Sequence, residues 1–175
     1  MRRIDEKILI TRVMILDDRT AFARLVEYHQ PAIRRFFLHQ TMGDEMLTDD
    51  LAQETFIKLY YSIRQYKGLS GLATYLYRIA FNIYQDHLRQ KKATDAIDDY
   101  PHPSYTPVND VSMDINQALS TLSTHERACI TLHYIDDLKV EEIAQILSMP
   151  QGTIKSHLSR GRNKMTQYLK NNGYE

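Results

Sequence analysis

The chain has 175 residues, 22 Lys or Arg against 22 Asp or Glu, and 43% hydrophobic content, an ordinary soluble globular composition that suits one domain or two small ones. No apolar run approaches the roughly 20 residues needed to cross a bilayer, and Asp5, Glu6 and Lys7 break up the N-terminal stretch where a signal peptide would lie. Cys129 is the sole cysteine, which excludes an intramolecular disulfide and fits a reducing cytoplasm, and the seven histidines lack metal-ligand spacing, so no metal or cofactor is expected.

In chain order, residues 1–16 mix charge with Ile, Leu and Val and read as a short helix or loose chain. Phe22, Leu25, Val26, Ile33, Phe36 and Phe37 then form an apolar stripe at helical spacing, with a kink or brief break expected at Pro31. Residues 41–44 read as a turn. Thr48 or Asp49 is the expected cap of a helix that buries Leu51, Phe56, Leu59, Tyr60 and Ile63. Gly68 and Gly71 mark a loop over 66–71, and a helix over about 72–90 places Leu76, Ile79, Ala80 and Ile83 inside. No segment alternates with period two, so the chain is expected to be all-α. Residues 93–112 carry three of the five prolines and read as a flexible linker between two small helical domains, 1–92 and 113–175. Fully extended, 20 residues reach about 65 Å.

The C-terminal domain reads as four helices. Ile115, Ala118, Leu119 and Leu122 mark the first, and Ser123 or Thr124 caps the second, through about Tyr134. A helix-turn-helix then spans 140–165. Ile143, Ala144 and Leu147 lie on one face, Pro150 stops that helix, and Thr153 is the expected cap of the next. On the last helix Ile154, Leu158, Gly161 and Met165 share a buried face, opposite Lys155, Ser156, Ser159, Arg160 and Arg162. Between 151 and 172 there are five Lys or Arg and no acid. A helix that is apolar on one side and cationic on the other suits the DNA major groove.

Charge is strongly segregated. Residues 41–57 hold five acids and no Lys or Arg, 58–92 hold seven Lys or Arg against Asp86, and 93–126 hold six acids alone. Two basic segments flanking an acidic one predict two separate contacts with a polyanion. Six of the twelve tyrosines fall between Tyr60 and Tyr84, interleaved with Arg64, Lys67, Arg78 and Phe81. Aromatic faces beside cations can stack on unpaired bases, and a glycine-bounded loop can receive a base turned out of the duplex. Tyr60 and Tyr77 read as core or core-edge, whereas Tyr75, Asn82 and Lys67 are candidates for binding.

Three runs, DLAQETFIKLYYSIRQYKG, TYLYRIAFNIYQDHLRQKK and ALSTLSTHERACITLHYIDDLKVEEIAQILSMPQGTIKSHLSRGRNKM, together resemble the extracytoplasmic-function sigma factors of bacterial RNA polymerase. The resemblance covers about residues 17–169. It implies that the helix Leu51 to Lys58, with Phe56 and Ile57, docks on the clamp of core polymerase, with Asp50, Gln53 and Glu54 on its polar side. It implies that the loop holding Lys67, Gly68, Ser70 and Thr74, with Tyr75, Arg78, Asn82 and Arg89 on the following helix, opens and reads the minus-ten region. Thr153, Lys155, Ser156, Ser159 and Arg160 match positions that contact the minus-thirty-five element, with Arg162 and Lys164 on phosphates. The chain departs from the family at Tyr75 (usually Trp), Phe81 and His157 (often Arg), Ser148 (usually Gly) and Gly161 (usually Ala).

The expected partners are therefore bacterial core RNA polymerase, promoter DNA and, by family habit, an anti-sigma factor. No small-molecule substrate, catalysis or membrane insertion is expected. A stand-alone helix-turn-helix regulator would leave the Tyr-rich basic helix and the acidic helix without purpose. A sigma mimic that binds only protein need not keep Lys155, Arg160, Arg162 and Lys164 together. His125, His133, Asp136 and Asp137 are close in sequence, but the aspartates are read as solvating a turn rather than as catalytic.

Overall fold

The structure, a computed structural model, describes residues 3–95 and 110–173. Among these every regular element is helical. The linker reading of 93–112 lies largely outside the described residues. Its ends are helical, since one helix runs to Asp95 and the next begins at Asp110.

Helix α1 (Arg3–Leu16) buries Leu9, Ile10 and Val13 against α2 (Arg19–Gln40). Glu6 pins the pair, its carboxylate 2.8 Å from His29 Nε2. Asp17 turns the chain at φ +52, and the Asp18 carboxylate caps α2 by accepting the Ala21 N–H at 3.0 Å. The expected break at Pro31 does not occur: α2 runs through it. Pro31 is exposed, so the lost N–H lies on the solvent side while Ile33, Phe36 and Phe37 hold the opposite face in the core.

Helix α3 (Glu45–Ser62) is capped by Asp44, which accepts the Leu47 N–H at 3.0 Å, rather than by Thr48 or Asp49. Those two residues lie inside the helix. Thr48 is buried with its hydroxyl 2.9 Å from that of Thr41, and Asp49 accepts from Arg34 of α2 at 2.7 Å. A 3₁₀ turn (Ile63–Gln65) and the 66–71 loop lead into α4 (Leu72–Asp95), which runs about a turn past its expected end at residue 90.

Helix α5 (Asp110–Ser120) precedes α6 (Thr124–Ile130). Ser123 and Glu126 cap α6 reciprocally, each side chain bonding the other's backbone N–H. A π-helical turn (Thr131–Ile135) follows, then α7 (Val140–Leu147) and α8 (Gln151–Asn171).

The two modules are in contact. α7 lies along α4, α6 lies against α2, and the buried apolar residues of both modules form one continuous cluster. The buried Arg127 guanidinium on α6 donates to three carbonyls: Leu119 at 3.0 Å, Leu122 at 3.1 Å and, in the other module, Gln40 at 2.8 Å. The Gln40 carbonyl also accepts the Tyr84 hydroxyl at 2.6 Å. Asp136, read from sequence as solvating a turn, is instead turned inward. Its side chain is 2% exposed and paired with Arg35 of α2.

Candidate nucleic-acid interface

The helix-turn-helix turns at Ser148, whose φ of +53 caps α7 in the left-handed region, a conformation that glycine adopts without strain. Pro150 starts α8, its carbonyl accepting the Thr153 and Ile154 N–H groups at 2.9 and 3.1 Å. The helix thus begins two residues before the position expected for it. Thr153 is a half-buried residue of its first turn and not its cap.

Ile154, Leu158 and Gly161 face inward, while Met165 is half-buried. At Gly161 a Cβ would stand 2.8 Å from Ile130 Cγ1, so the glycine lets α8 approach α6. With that face anchored, Lys155, Ser156, Ser159, Arg160, Arg162 and Lys164 are all exposed. They are not equally free. Ser156 Oγ donates to the Gly152 carbonyl at 3.0 Å, Lys164 donates to the buried Glu126 carboxylate at 2.7 Å, and Arg160 stands 3.8 Å from that same carboxylate. Burial works to raise the Glu126 pKa, but the Lys164 ammonium and the Ser123 N–H outweigh it and hold the carboxyl below its usual range. Tyr134, which sequence reasoning passed over, is exposed and shares a cleft of about 220 Å³ with Lys155, Ser159 and Arg162. Its signal was position alone, an aromatic just before the helix-turn-helix.

The second basic region is built by the 66–71 loop and α4. Gly68 takes φ +68, and the Tyr66 hydroxyl donates to the Ser70 carbonyl, closing the loop on itself. The Tyr66 and Tyr75 rings meet with centroids 5.2 Å apart, leaving Tyr75 half-exposed as a platform. Tyr75, Arg78, Asn82 and Arg89 recur at helical spacing on one side of α4, and the last three are exposed together with Lys67 and Gly68. Arg89 is paired with Asp86. Ser70 is half-buried. Thr74 is only 6% exposed, at the base of a cleft of about 400 Å³, and supports the platform more than it presents a surface. Tyr77 is buried as expected, and Tyr60 packs edge-on to Phe22.

On α3, Asp50, Gln53, Glu54 and Ile57 are exposed, whereas Leu51 and Phe56 are core residues at 3% and 7% exposure. The open apolar surface is wider than one helix. A groove of about 650 Å³ between α2 and α3 is lined by Phe22, Val26, Phe56, Ile57, Tyr60 and Tyr61, with the Arg34–Asp49 pair on its rim. The contribution of α2 was hidden because Phe22 and Val26 read as ordinary core.

These faces have counterparts in known proteins. Residues 25–94 match Sigma-70 region 2 and residues 112–165 match Sigma-70, region 4. The ECF RNA polymerase sigma factor SigW of Bacillus subtilis is 31% identical over 171 residues, covering 87% of this chain and 91% of the relative. The RNA polymerase sigma-H factor of Pseudomonas aeruginosa is 29% identical over 170 residues, covering 87% and 88%. Among solved structures, the sigma factor RpoE of Bartonella quintana, in complex with the anti-sigma factor NepR, superposes with a TM-score of 0.72 at 27% identity, over 85% of this chain and 96% of that one. The fold is shared as well with CnrH in complex with the cytosolic domain of CnrY, at TM-score 0.74 and 22% identity over 95% and 97%. An all-α chain that matches Sigma-70 region 2 and then region 4 along its length is a sigma factor by class. The chain belongs to the extracytoplasmic-function sigma factors. Among the described residues no helix is long and apolar enough to cross a membrane.

Proposed function

We propose that this sigma factor binds core RNA polymerase in the cytoplasm through the α2–α3 face, recognises two promoter elements and helps open the duplex. Residues 1–92 act as the polymerase-binding and minus-ten module, 113–175 as the minus-thirty-five module, and 93–112 join them. The single observation that carries this reading is the pairing, in one chain, of an exposed cationic α8 with a loop-and-helix platform of Tyr75, Arg78 and Asn82. A duplex-reading helix alone would serve an ordinary regulator, whereas an aromatic platform flanked by cations suits unstacked bases.

Lys155, Ser159 and Arg160 read base edges in the major groove, with Arg162 and Lys164 on phosphates. Asp50, Gln53, Glu54 and Ile57 contact the polymerase clamp, and Leu51 and Phe56 support them from beneath. The role needs no catalytic group of its own. An anti-sigma factor is the expected regulatory partner, since the RpoE relative is held by one.

The test is transcription in vitro with bacterial core polymerase and DNA from upstream of the chain's own gene. Defined core-dependent transcripts, reduced at least tenfold by Asn82→Ala and by Arg160→Ala, support the reading; about 1.4 kcal/mol per lost contact suffices for that. Salt-sensitive binding of a specific site by the protein alone, with no transcript, would instead favour the ordinary regulator.

A further inference from the structure

Helix α1 lies outside both matched regions, the first of which begins at residue 25, yet it is firmly mounted. Leu9, Ile10 and Val13 are buried against α2, and the Glu6 carboxylate meets the buried His29 at 2.8 Å. So held, α1 forms one wall of a cleft of about 410 Å³ whose other wall is the 66–71 loop. The buried Ile10 and Leu72 give the cleft an apolar base, and Tyr66 gives it an aromatic side. Lys7, Thr11 and Lys67 stand exposed around it. This cleft is distinct from the one lined by Tyr75 and Arg78. Leu69 and Ser70 border both, so a single thickness of chain divides them. The Tyr66 and Tyr75 rings, 5.2 Å apart, line one cleft each.

The chemistry of the α1 cleft suits an unpaired nucleotide. Its volume falls in the range of about 300–1,000 Å³ usual for small-ligand sites. Aromatic and aliphatic surface together accept the face of a base. Lys7 and Lys67 have no acidic partner among the described residues and can hold the phosphates on either side of that base. The base edge meets Glu6. His29 is neutral, because burial lowers its pKa, and donates its Nε2–H to one oxygen of the Glu6 carboxylate, Oε1. The second oxygen, Oε2, has no partner among the described residues. It can accept from the exocyclic amine of adenine, cytosine or guanine. Thymine carries no such amine and offers the carboxylate only a ring N–H set between two carbonyls.

We propose that the cleft between α1 and the 66–71 loop is a second base pocket, which takes the unpaired promoter nucleotide next to the one received at Tyr75 and selects against thymine through Glu6. The proposal rests on the sigma-factor reading, which supplies the unpaired strand. Helix α1 thereby becomes a specificity element, with His29 as the residue that positions its carboxylate. Neighbouring nucleotides of one strand reach the two clefts from either side of the loop, which keeps their bases unstacked from each other.

The test uses holoenzyme formed with bacterial core polymerase, and the promoter upstream of the chain's own gene with each of the four bases placed in turn at every minus-ten position. Transcript yield is the readout, and Tyr75→Ala marks its own position by flattening the base profile there. The wild-type chain should disfavour thymine about tenfold at one adjacent position. Glu6→Gln, whose amide can donate to a thymine carbonyl, should abolish that bias and leave the rest of the profile intact. Thr11→Trp, at an exposed position, fills the cleft without touching the core and should cut transcripts about tenfold. Lys7→Ala should weaken promoter binding alike for every base, with a salt slope lower by about one. A wild-type profile without a thymine bias beside the Tyr75 position overturns the pocket, whichever variants fold. A bias that survives both Glu6→Gln and Thr11→Trp overturns it too. The sigma-factor reading is judged separately. Transcripts lost on Asn82→Ala, with no bias that depends on Glu6, sink only the pocket, whereas the absence of any core-dependent transcript sinks that reading and the pocket with it.

Discussion

Ile130 Cγ1 lies 2.8 Å from the point where a Cβ on Gly161 would stand, and this close approach of α6 and α8 sets how the recognition helix is mounted. A mid-helix glycine costs about 1 kcal/mol relative to alanine, yet here alanine would overfill the seam, at a cost of about 1–3 kcal/mol. Gly161→Ala should therefore destabilise the chain despite its better helix propensity. Combined with Ile130→Ala, which empties the same space, it should cost about 1 kcal/mol less than the two single changes added together. Denaturant unfolding of the four chains checks this, and strict additivity would refute the contact.

Ser148→Gly should act in the opposite direction. The left-handed backbone at φ +53 costs a non-glycine residue about 1 kcal/mol. The substitution should raise Tm by roughly 2–4 °C, as read by calorimetry. An unchanged or lower Tm would mean that the turn is held by something other than backbone geometry.

Glu126 has two roles, capping α6 and holding the cations of α8. Glu126→Gln keeps a hydrogen-bonding side chain at the cap but releases Lys164 and Arg160. It should weaken the fold by about 1 kcal/mol while strengthening binding to minus-thirty-five duplex, with a salt dependence steeper by about one ion released. Because its pKa is depressed in the fold, the stabilisation from Glu126 is complete above its ordinary value of 4.5 and is lost as pH falls through its lower folded value.

A second pH effect comes from buried histidines. Burial lowers the pKa of His29 despite its hydrogen bond to Glu6. It lowers that of His39 as well, where Asp136 opposes the shift and Arg35 adds to it. Both are neutral in the fold, so the unfolded chain binds more protons just below 6.5, the ordinary histidine value. Stability should be full above about pH 6.5 and fall as pH drops from there toward the folded pKa values. Urea midpoints measured from pH 8 to 5 should show this, and His39→Gln should flatten part of the slope.

Much of this protein was legible in one dimension. Helical periodicity placed Leu76, Ile79, Ala80 and Ile83 inside α4, and segregated charge located both basic faces, because each reports only local geometry. Caps were harder. Asp44 and Thr48 are both good capping residues, and only the buried hydroxyl pair of Thr41 and Thr48 decided between them. Pro31 signalled a break that packing on the far side of α2 overrode. What the sequence alone determined is the all-α class, the helix-turn-helix and the family, since these rest on patterns within single helices and on motifs read in order. What only the tertiary structure decided is that Asp136 is buried on Arg35, that Phe81 faces His125, and that Gln145 and Ser148 at the end of α7 share a cleft with Tyr75 and Arg78 of α4. Such contacts join residues tens of positions apart, up to 101 for Arg35 and Asp136, and no periodicity records which solvated-looking charge will meet its partner once the modules pack.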